Sequence, residues 1–274
     1  MRIRINFTLT RIPQVLPLNY QYPLSAWIYN VLGRGDTGFS NMLHEAGYRL
    51  ENQKTFKLFT FSNLLFADKG FRILKGTDRM EITGQGLSLT IAFMLPDALQ
   101  TFVAGLFSNQ QAFVGDKISG ADMRVESVEM LPEPPLSSTM QIRALSPVVV
   151  TRKTEADRQE QYLAPGNSDY QMLFFKNLID KHHAWQRQTG QELSRFIEPA
   201  LHFNCLTEKP KSRLQTIKAF TSEEVKVRGY LFDFEISAPP ALIQTGLNAG
   251  YGAMNALGFG CGEVRNNITK PTNL

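Results

Sequence analysis

The chain opens Met1-Arg-Ile-Arg-Ile-Asn-Phe-Thr-Leu9, with Met1, Ile3, Ile5, Phe7 and Leu9 alternating against Arg2, Arg4, Asn6 and Thr8. A period of two is that of a half-buried strand, and it differs from the apolar block of a secretory signal, so folding is expected to start at residue 1. Downstream, a turn at Pro17–Tyr22 leads into Leu24, Trp27, Ile28, Val31 and Leu32, an i, i+3, i+4, i+7, i+8 stripe that predicts a helix. A short second helix is read from Ser40, as N-cap, to Gly47, as stop. Strands are read at Phe56–Phe61 and Leu87–Met94. Pro96 and Asp97 then open a helix with the stripe Leu99, Phe102, Val103, Leu106 and Phe107, and Met123–Leu131 reads as a further strand.

The order is β-α-β-β-α-β, the ferredoxin-like unit. Pro132, Pro134 and Pro135 follow at a density no regular element tolerates, so a linker is placed there. The remainder repeats the order. Thr139–Val150 reads as one long or two short strands, and after a charged loop Tyr170–Arg187 reads as a helix carrying Tyr170, Leu173, Phe174 and Leu178. Leu201–Leu206 and Val225–Ile236 read as strands, Pro240–Ala249 as a helix with Pro in its first turn, and Gly258–Val264 as the last strand. The expected class is α+β, with tandem ferredoxin-like domains at residues 1–134 and 135–274.

Composition sets the bounds on function. At 274 residues, 43% hydrophobic and 20% charged, the chain is that of a globular protein of two medium domains, not a disordered, collagen-like or coiled-coil one. Cys205 and Cys261 have no ligand or disulfide spacing, which fits a reducing cytoplasm and predicts no metal and no cofactor. No apolar run reaches the roughly 18 residues of a membrane span. The net charge of +4 divides into +1 through residue 134 (13 minus 12) and +3 after it (16 minus 13), which admits a nucleic-acid partner without requiring one.

Six of the 20 glycines, Gly246, Gly250, Gly252, Gly258, Gly260 and Gly262, fall within 17 residues. They follow a helix and precede a strand, the reverse of the context of a dinucleotide or phosphate-binding loop, and no GKS or GKT exists. Such a turn lets backbone approach something closely, either neighbouring protein or a sugar-phosphate chain.

This stretch, with Tyr251 and Phe259 inside the glycine pairs, resembles the C-terminal glycine-rich loop of the RAMP superfamily of CRISPR proteins. The likeness extends through Pro17-Leu-Asn-Tyr-Gln-Tyr22, Trp27-Ile-Tyr-Asn30, Leu43-His-Glu45, Phe56-Lys-Leu-Phe-Thr-Phe-Ser62, Leu145-Ser-Pro-Val-Val-Val150 and Lys209-Pro-Lys211. Within the superfamily it is most similar to the CRISPR-associated endoribonucleases that cut precursor CRISPR RNA in its repeats. The resemblance implies a double ferredoxin-like fold, in agreement with the element order. It also implies metal-independent cleavage through the 2'-hydroxyl, leaving a 2',3'-cyclic phosphate and a 5'-hydroxyl.

Such chemistry needs a proton acceptor, a proton donor and a cation for the phosphate. Of the four histidines, His182 and His183 are read as solvated at a polar helix end and His202 as half-buried in a strand. His44 stands near a helix C-terminus, where the macrodipole favours an imidazolium. The resemblance makes His44 the general base or acid. It adds Tyr29, which periodicity puts about 140° from Leu24 and off the buried face, as the residue that positions or deprotonates the 2'-hydroxyl. It also adds Lys57 as the stabilising cation, with Lys54 as substitute, because the stretch from His44 to Lys57 is longer than in the shortest family members.

Lys209, Lys211, Arg213 and Lys218 stand against the single acid Glu208, with Lys226 and Arg228 on the next strand. These cations could line a phosphate track or simply form a solvated hairpin. The resemblance implies that Lys209, Lys211, Arg213 and Lys218 grip the RNA together with Gly250, Gly252, Gly258 and Gly260, and no aromatic signature of sheet-stacked bases is present. The expected partner is CRISPR repeat RNA or precursor CRISPR RNA; a homodimer and other Cas proteins of an interference complex stand as further candidates. The rival readings are a non-catalytic RAMP scaffold subunit that binds CRISPR RNA, and a ferredoxin-like RNA-binding protein unrelated to CRISPR.

Overall fold

A computed structural model of the chain describes residues 1–50, 54–67, 70–153, 160–196, 201–219 and 221–265. Part of the charged loop before the second domain's first helix, and the end of the second domain, therefore lie outside the described residues.

The N-terminal strand, Arg2–Leu9, is the centre of the first sheet. Ile3, Ile5 and Phe7 are at most 1% exposed, and the expected alternation holds from Ile3 to Leu9, whereas Arg2, placed on the polar face, is buried. The sheet order is Gln111–Gly115, Gly120–Leu131, Arg2–Leu9, Gly86–Phe93, Phe59–Phe61, with antiparallel neighbours throughout. With the hairpin strand Gln111–Gly115 set aside, this is the 4-1-3-2 order of a ferredoxin-like unit. Helix α1 (Gln21–Gly35) and helix α3 (Pro96–Ser108) pack against each other, and Trp27 meets Phe7 at 5.6 Å and Phe102 at 6.1 Å, both edge to face.

The second sheet runs His202–Cys205, Asp233–Ser237, Thr139–Ala144, Gly262–Val264, or 2-3-1-4, again antiparallel throughout. Helix α4 (Tyr170–Gln188) and helix α5 (Pro240–Ala249) complete this unit. A hairpin of Lys211–Ile217 and Val225–Leu231 is inserted between its second and third strands. No strand or helix occurs in residues 132–138. Among the described residues no helix is long and apolar enough to cross a membrane.

Several elements differ from the sequence reading. The strand expected at Phe56–Phe61 is broken into Thr55–Phe56 and Phe59–Phe61, because Leu58 adopts a φ of 52°. Val225–Ile236 is two strands that belong to two different sheets. The second helix, α2, runs Thr37–Glu45; its cap is Asp36, whose carboxylate accepts the Phe39 amide at 2.9 Å, while Ser40 lies inside and donates to the Tyr29 carbonyl at 3.0 Å. Phe107 is 62% exposed, since at 100° per residue it sits well round the helix from Leu99, Phe102 and Leu106.

The crossing of α1 and α3 depends on two glycines. A Cβ on Gly105 would overlap the Val31 carbonyl oxygen, and one on Gly35 would overlap that of Thr101; both are backbone atoms that cannot swing aside. Gly105→Ala is therefore expected to lower stability by about 1–3 kcal/mol, as overpacking does. Urea unfolding measures this, and an unchanged midpoint would contradict so close a crossing.

Candidate functional site

An interdomain cleft of about 1000 Å³ is lined on one side by α1, α2 and the segment Lys54–Phe59, and on the other by α4, Val149–Lys153 and Gly252–Leu257. Tyr29, His44 and Lys57 all line it, so residues separated by 28 positions converge on one wall. Tyr29 projects from the flank of α1, half-buried, and its ring meets that of His44 edge to face at 4.9 Å between centroids. Phe59 supports the tyrosine from behind at 5.6 Å. His44 occupies the last turn of α2 and is exposed. Lys57 donates from Nζ to the main-chain carbonyl of His44 at 2.6 Å, which anchors its ammonium to the end of α2.

Burial differentiates these groups. It raises the Tyr29 phenol far above its usual range, so the hydroxyl keeps its proton and acts as a donor. It lowers the Lys57 ammonium. Lys54 also lines the cleft, but its Nζ lies 2.7 Å from the Asp180 carboxylate of α4, an ion pair that spans the two walls.

The four glycines read as RNA contacts are packed against protein on the side a Cβ would occupy. All are buried with positive φ, and the space beside each Cα is taken by protein: Asn255 and Thr60 at Gly250, Val149 and Val148 at Gly252, Phe61 and Gln21 at Gly258, Tyr251 and Asn255 at Gly260. Close protein packing thus accounts for the missing side chains. The loop reaches the cleft through Gly252, Ala253, Met254 and Leu257. Lys209, Lys211, Arg213 and Lys218 are exposed on or beside the inserted hairpin, outside the cleft lining, and Lys218 is ion-paired with Glu223. Asn19 of the first domain accepts the Thr216 amide of this hairpin at 3.4 Å.

Two further histidine expectations are corrected. His202 is exposed on an edge strand. His182 is 2% exposed, because α4 is covered on two sides and even delivers Ala184 and Trp185 to the first domain's core. Its Nδ1 lies 2.8 Å from Thr245 Oγ1, which donates to the Ala241 carbonyl at 3.0 Å, so Nδ1 carries the proton. The residues that sequence reasoning missed are those that hold the glycine-rich loop: Ser25 donates to the Ala256 carbonyl at 2.6 Å, Thr60 to the Phe259 carbonyl at 3.0 Å, and Lys181 of α4 to the loop from below.

Tandem ferredoxin-like domains with a glycine-rich loop closing one side of the cleft define a protein of the RAMP type. The N-terminal model of the CRISPR-associated protein Cas6 matches residues 15–128 and the C-terminal Cas6 model residues 131–264. The chain belongs to the Cas6 family. It is 25% identical over 248 residues to a protein of Methanocaldococcus jannaschii named CRISPR-associated endoribonuclease Cas6 1, covering 90% of this chain and 86% of that one. It is also 25% identical over 256 residues to the CRISPR-associated endoribonuclease Cas6 of Pyrococcus furiosus, covering 93% and 85%. A solved structure described as a Cas6-related gene from Pyrococcus furiosus superposes with a TM-score of 0.79 at 21% identity, over 97% of this chain and 99% of that one.

Burial lowers the His182 imidazole to about 4, from an ordinary 6.5, with His183 adding to the effect. A base whose folded value is depressed binds more protons when unfolded, so stability falls as pH drops from about 6.5 to about 4 and levels off below. The loss is about 3 kcal/mol at most. Urea titrations across this range should show that acid limb, and His182→Gln should remove it; a variant with the same limb would place the titration elsewhere.

Proposed function

We propose that this chain is an endoribonuclease that cleaves CRISPR repeat RNA in the interdomain cleft, with Tyr29, His44 and Lys57 as catalytic residues. The observation that carries this reading is their convergence: an edge-to-face Tyr29–His44 pair, and a lysine bonded to the histidine's own carbonyl, on one wall of a cleft whose other wall is the glycine-rich loop. The family membership and the names of the two relatives support the same substrate class.

His44 takes the proton of the 2'-hydroxyl, and the 2'-oxygen attacks the adjacent phosphorus. Tyr29, kept protonated by burial, donates a hydrogen bond that orients the sugar or a phosphate oxygen. Lys57 stabilises charge on the non-bridging oxygens. The proton held by His44 then passes to the 5'-oxygen, which leaves as an alcohol. The products are a 2',3'-cyclic phosphate and a 5'-hydroxyl. Every group invoked moves protons or neutralises charge, so the mechanism we propose is metal-independent. Lys209, Lys211, Arg213 and the neighbouring Lys226 and Arg228 supply a phosphate track outside the cleft.

The test is cleavage of the host's own repeat RNA by the purified chain in EDTA. Cleavage should persist in EDTA and leave the stated ends, and should stop when the ribose before the cut is 2'-deoxy, with binding retained. His44→Ala should lower the rate by 100-fold or more, within the usual range for general acid–base catalysis, while Tyr29→Phe and Lys57→Met should leave intermediate rates. Binding with no cleavage would instead support a scaffold subunit, and cleavage of the deoxy substrate would exclude attack by the 2'-oxygen.

A further inference from the structure

The glycine-rich loop is built around one ammonium group. Lys181 is 1% exposed, and its Nζ donates to three acceptors: the carbonyl of Gly250, the carbonyl of Gly252 at 2.8 Å and Asn255 Oδ1 at 2.9 Å. Three N–H donors meet three acceptors, whereas a neutral amine would turn its lone pair on one of them. Asp180, the neighbouring acid on α4, is bonded to Lys54, so the charge of Lys181 is balanced by carbonyl dipoles. Burial pulls the ammonium well below its ordinary value, and these three hydrogen bonds oppose that pull.

Asn255 extends the connection. Its Nδ2 donates to the carbonyls of Tyr251 at 3.2 Å and Phe259 at 3.0 Å, so one side chain ties the Gly250–Gly252 and Gly258–Gly260 arms together. A Cβ on Gly250 or Gly260 would collide with that same nitrogen, so both glycines leave room for it. The loop is in turn bonded to Ser25, one helical turn before Tyr29, and to Thr60, which follows Phe59 beneath the Tyr29 ring.

We propose that Lys181 is a positioning residue for RNA cleavage: by holding Gly250, Gly252 and Asn255, it fixes the Gly252–Leu257 wall of the cleft relative to Tyr29, His44 and Lys57, and it does so without touching RNA. This rests on the ribonuclease reading above. It assigns the glycines an indirect part in the reaction, through the two side chains they accommodate.

The experiment uses the full chain with Lys181→Met, Asn255→Ala and the double variant. Hydrogen exchange without RNA reads the loop directly, through the amides of Tyr251, Ala253 and Gly260, which are bonded to Gly260, Val149 and Pro147. In Lys181→Met these should exchange at least tenfold faster, with the strand Arg2–Leu9 unchanged. Single-turnover cleavage of repeat RNA should slow about 10- to 100-fold with Kd within about threefold, and the double variant should be no slower than the worse single one. The salt slope of binding should not change, whereas loss of a phosphate contact would reduce it by about 0.7. Should methionine at 181 prevent folding, Asn255→Ala reads the same hub and must show faster loop exchange and slower cleavage.

A reduced salt slope would make Lys181 an RNA ligand and overturn the proposal. Unchanged loop exchange, or a rate loss no larger than the loss of folded protein, would also overturn it. A wild-type chain with a protected loop and no cleavage would instead sink the ribonuclease reading.

Discussion

A buried ammonium with no carboxylate partner among the described residues is the constraint on which this account of the cleft rests. Removing a lysine from water is costly unless its protons are satisfied, and here the satisfaction comes from two glycine carbonyls and one asparagine of a single loop. That geometry requires the loop to curl over α4, and the curl requires positive φ at Gly250, Gly252, Gly258 and Gly260. The loop so formed presents the Ala256 and Phe259 carbonyls to Ser25 and Thr60 of the other domain. Arg2 adds a bond to the Gly262 carbonyl at 2.9 Å, which ties the first strand of one sheet to the last strand of the other.

The chemistry proposed for the opposite wall rests on graded burial. Tyr29 is sunk far enough between α1 and Phe59 to stay protonated, which restricts it to hydrogen-bond donation. His44 is exposed at the end of α2, and the proposed mechanism gives it the proton transfer. Lys57 sits between these extremes, anchored by the His44 carbonyl. The break at Leu58, whose positive φ separates two short strands, is what turns Lys57 toward the cleft while Phe59 enters the core.

Much of this could be read from residue order. The alternation of Met1–Leu9, the stripe from Leu24 to Leu32 and Pro240 at a helix start are local signals, and each dictated its element. Tyr29 was placed off the buried face by periodicity alone. Two of the failures share a cause: burial set by packing between elements distant in sequence, invisible to local pattern. His182 looked solvated because its neighbours are polar, yet α4 is covered on two sides. The protein packing beside the glycines was equally invisible, since the space at Gly250 and Gly260 is filled by Asn255 and that at Gly252 and Gly258 by residues distant in sequence. Lys181 carried a usable signal, for 11 residues after Tyr170 at 100° each returns it to within about 20° of that buried ring. A lysine within an apolar stripe is a candidate for a satisfied buried charge.

The central claim is that RNA is cut between two walls supplied by different domains. Photocrosslinking of the chain stalled on a repeat RNA, with 2'-deoxyribose before the scissile phosphate and 4-thiouridine on either side of it, tests this most directly. The account requires crosslinks to both walls, within residues 22–59 and 252–257. Crosslinks confined to the hairpin at 211–231, with none in either segment, would contradict it.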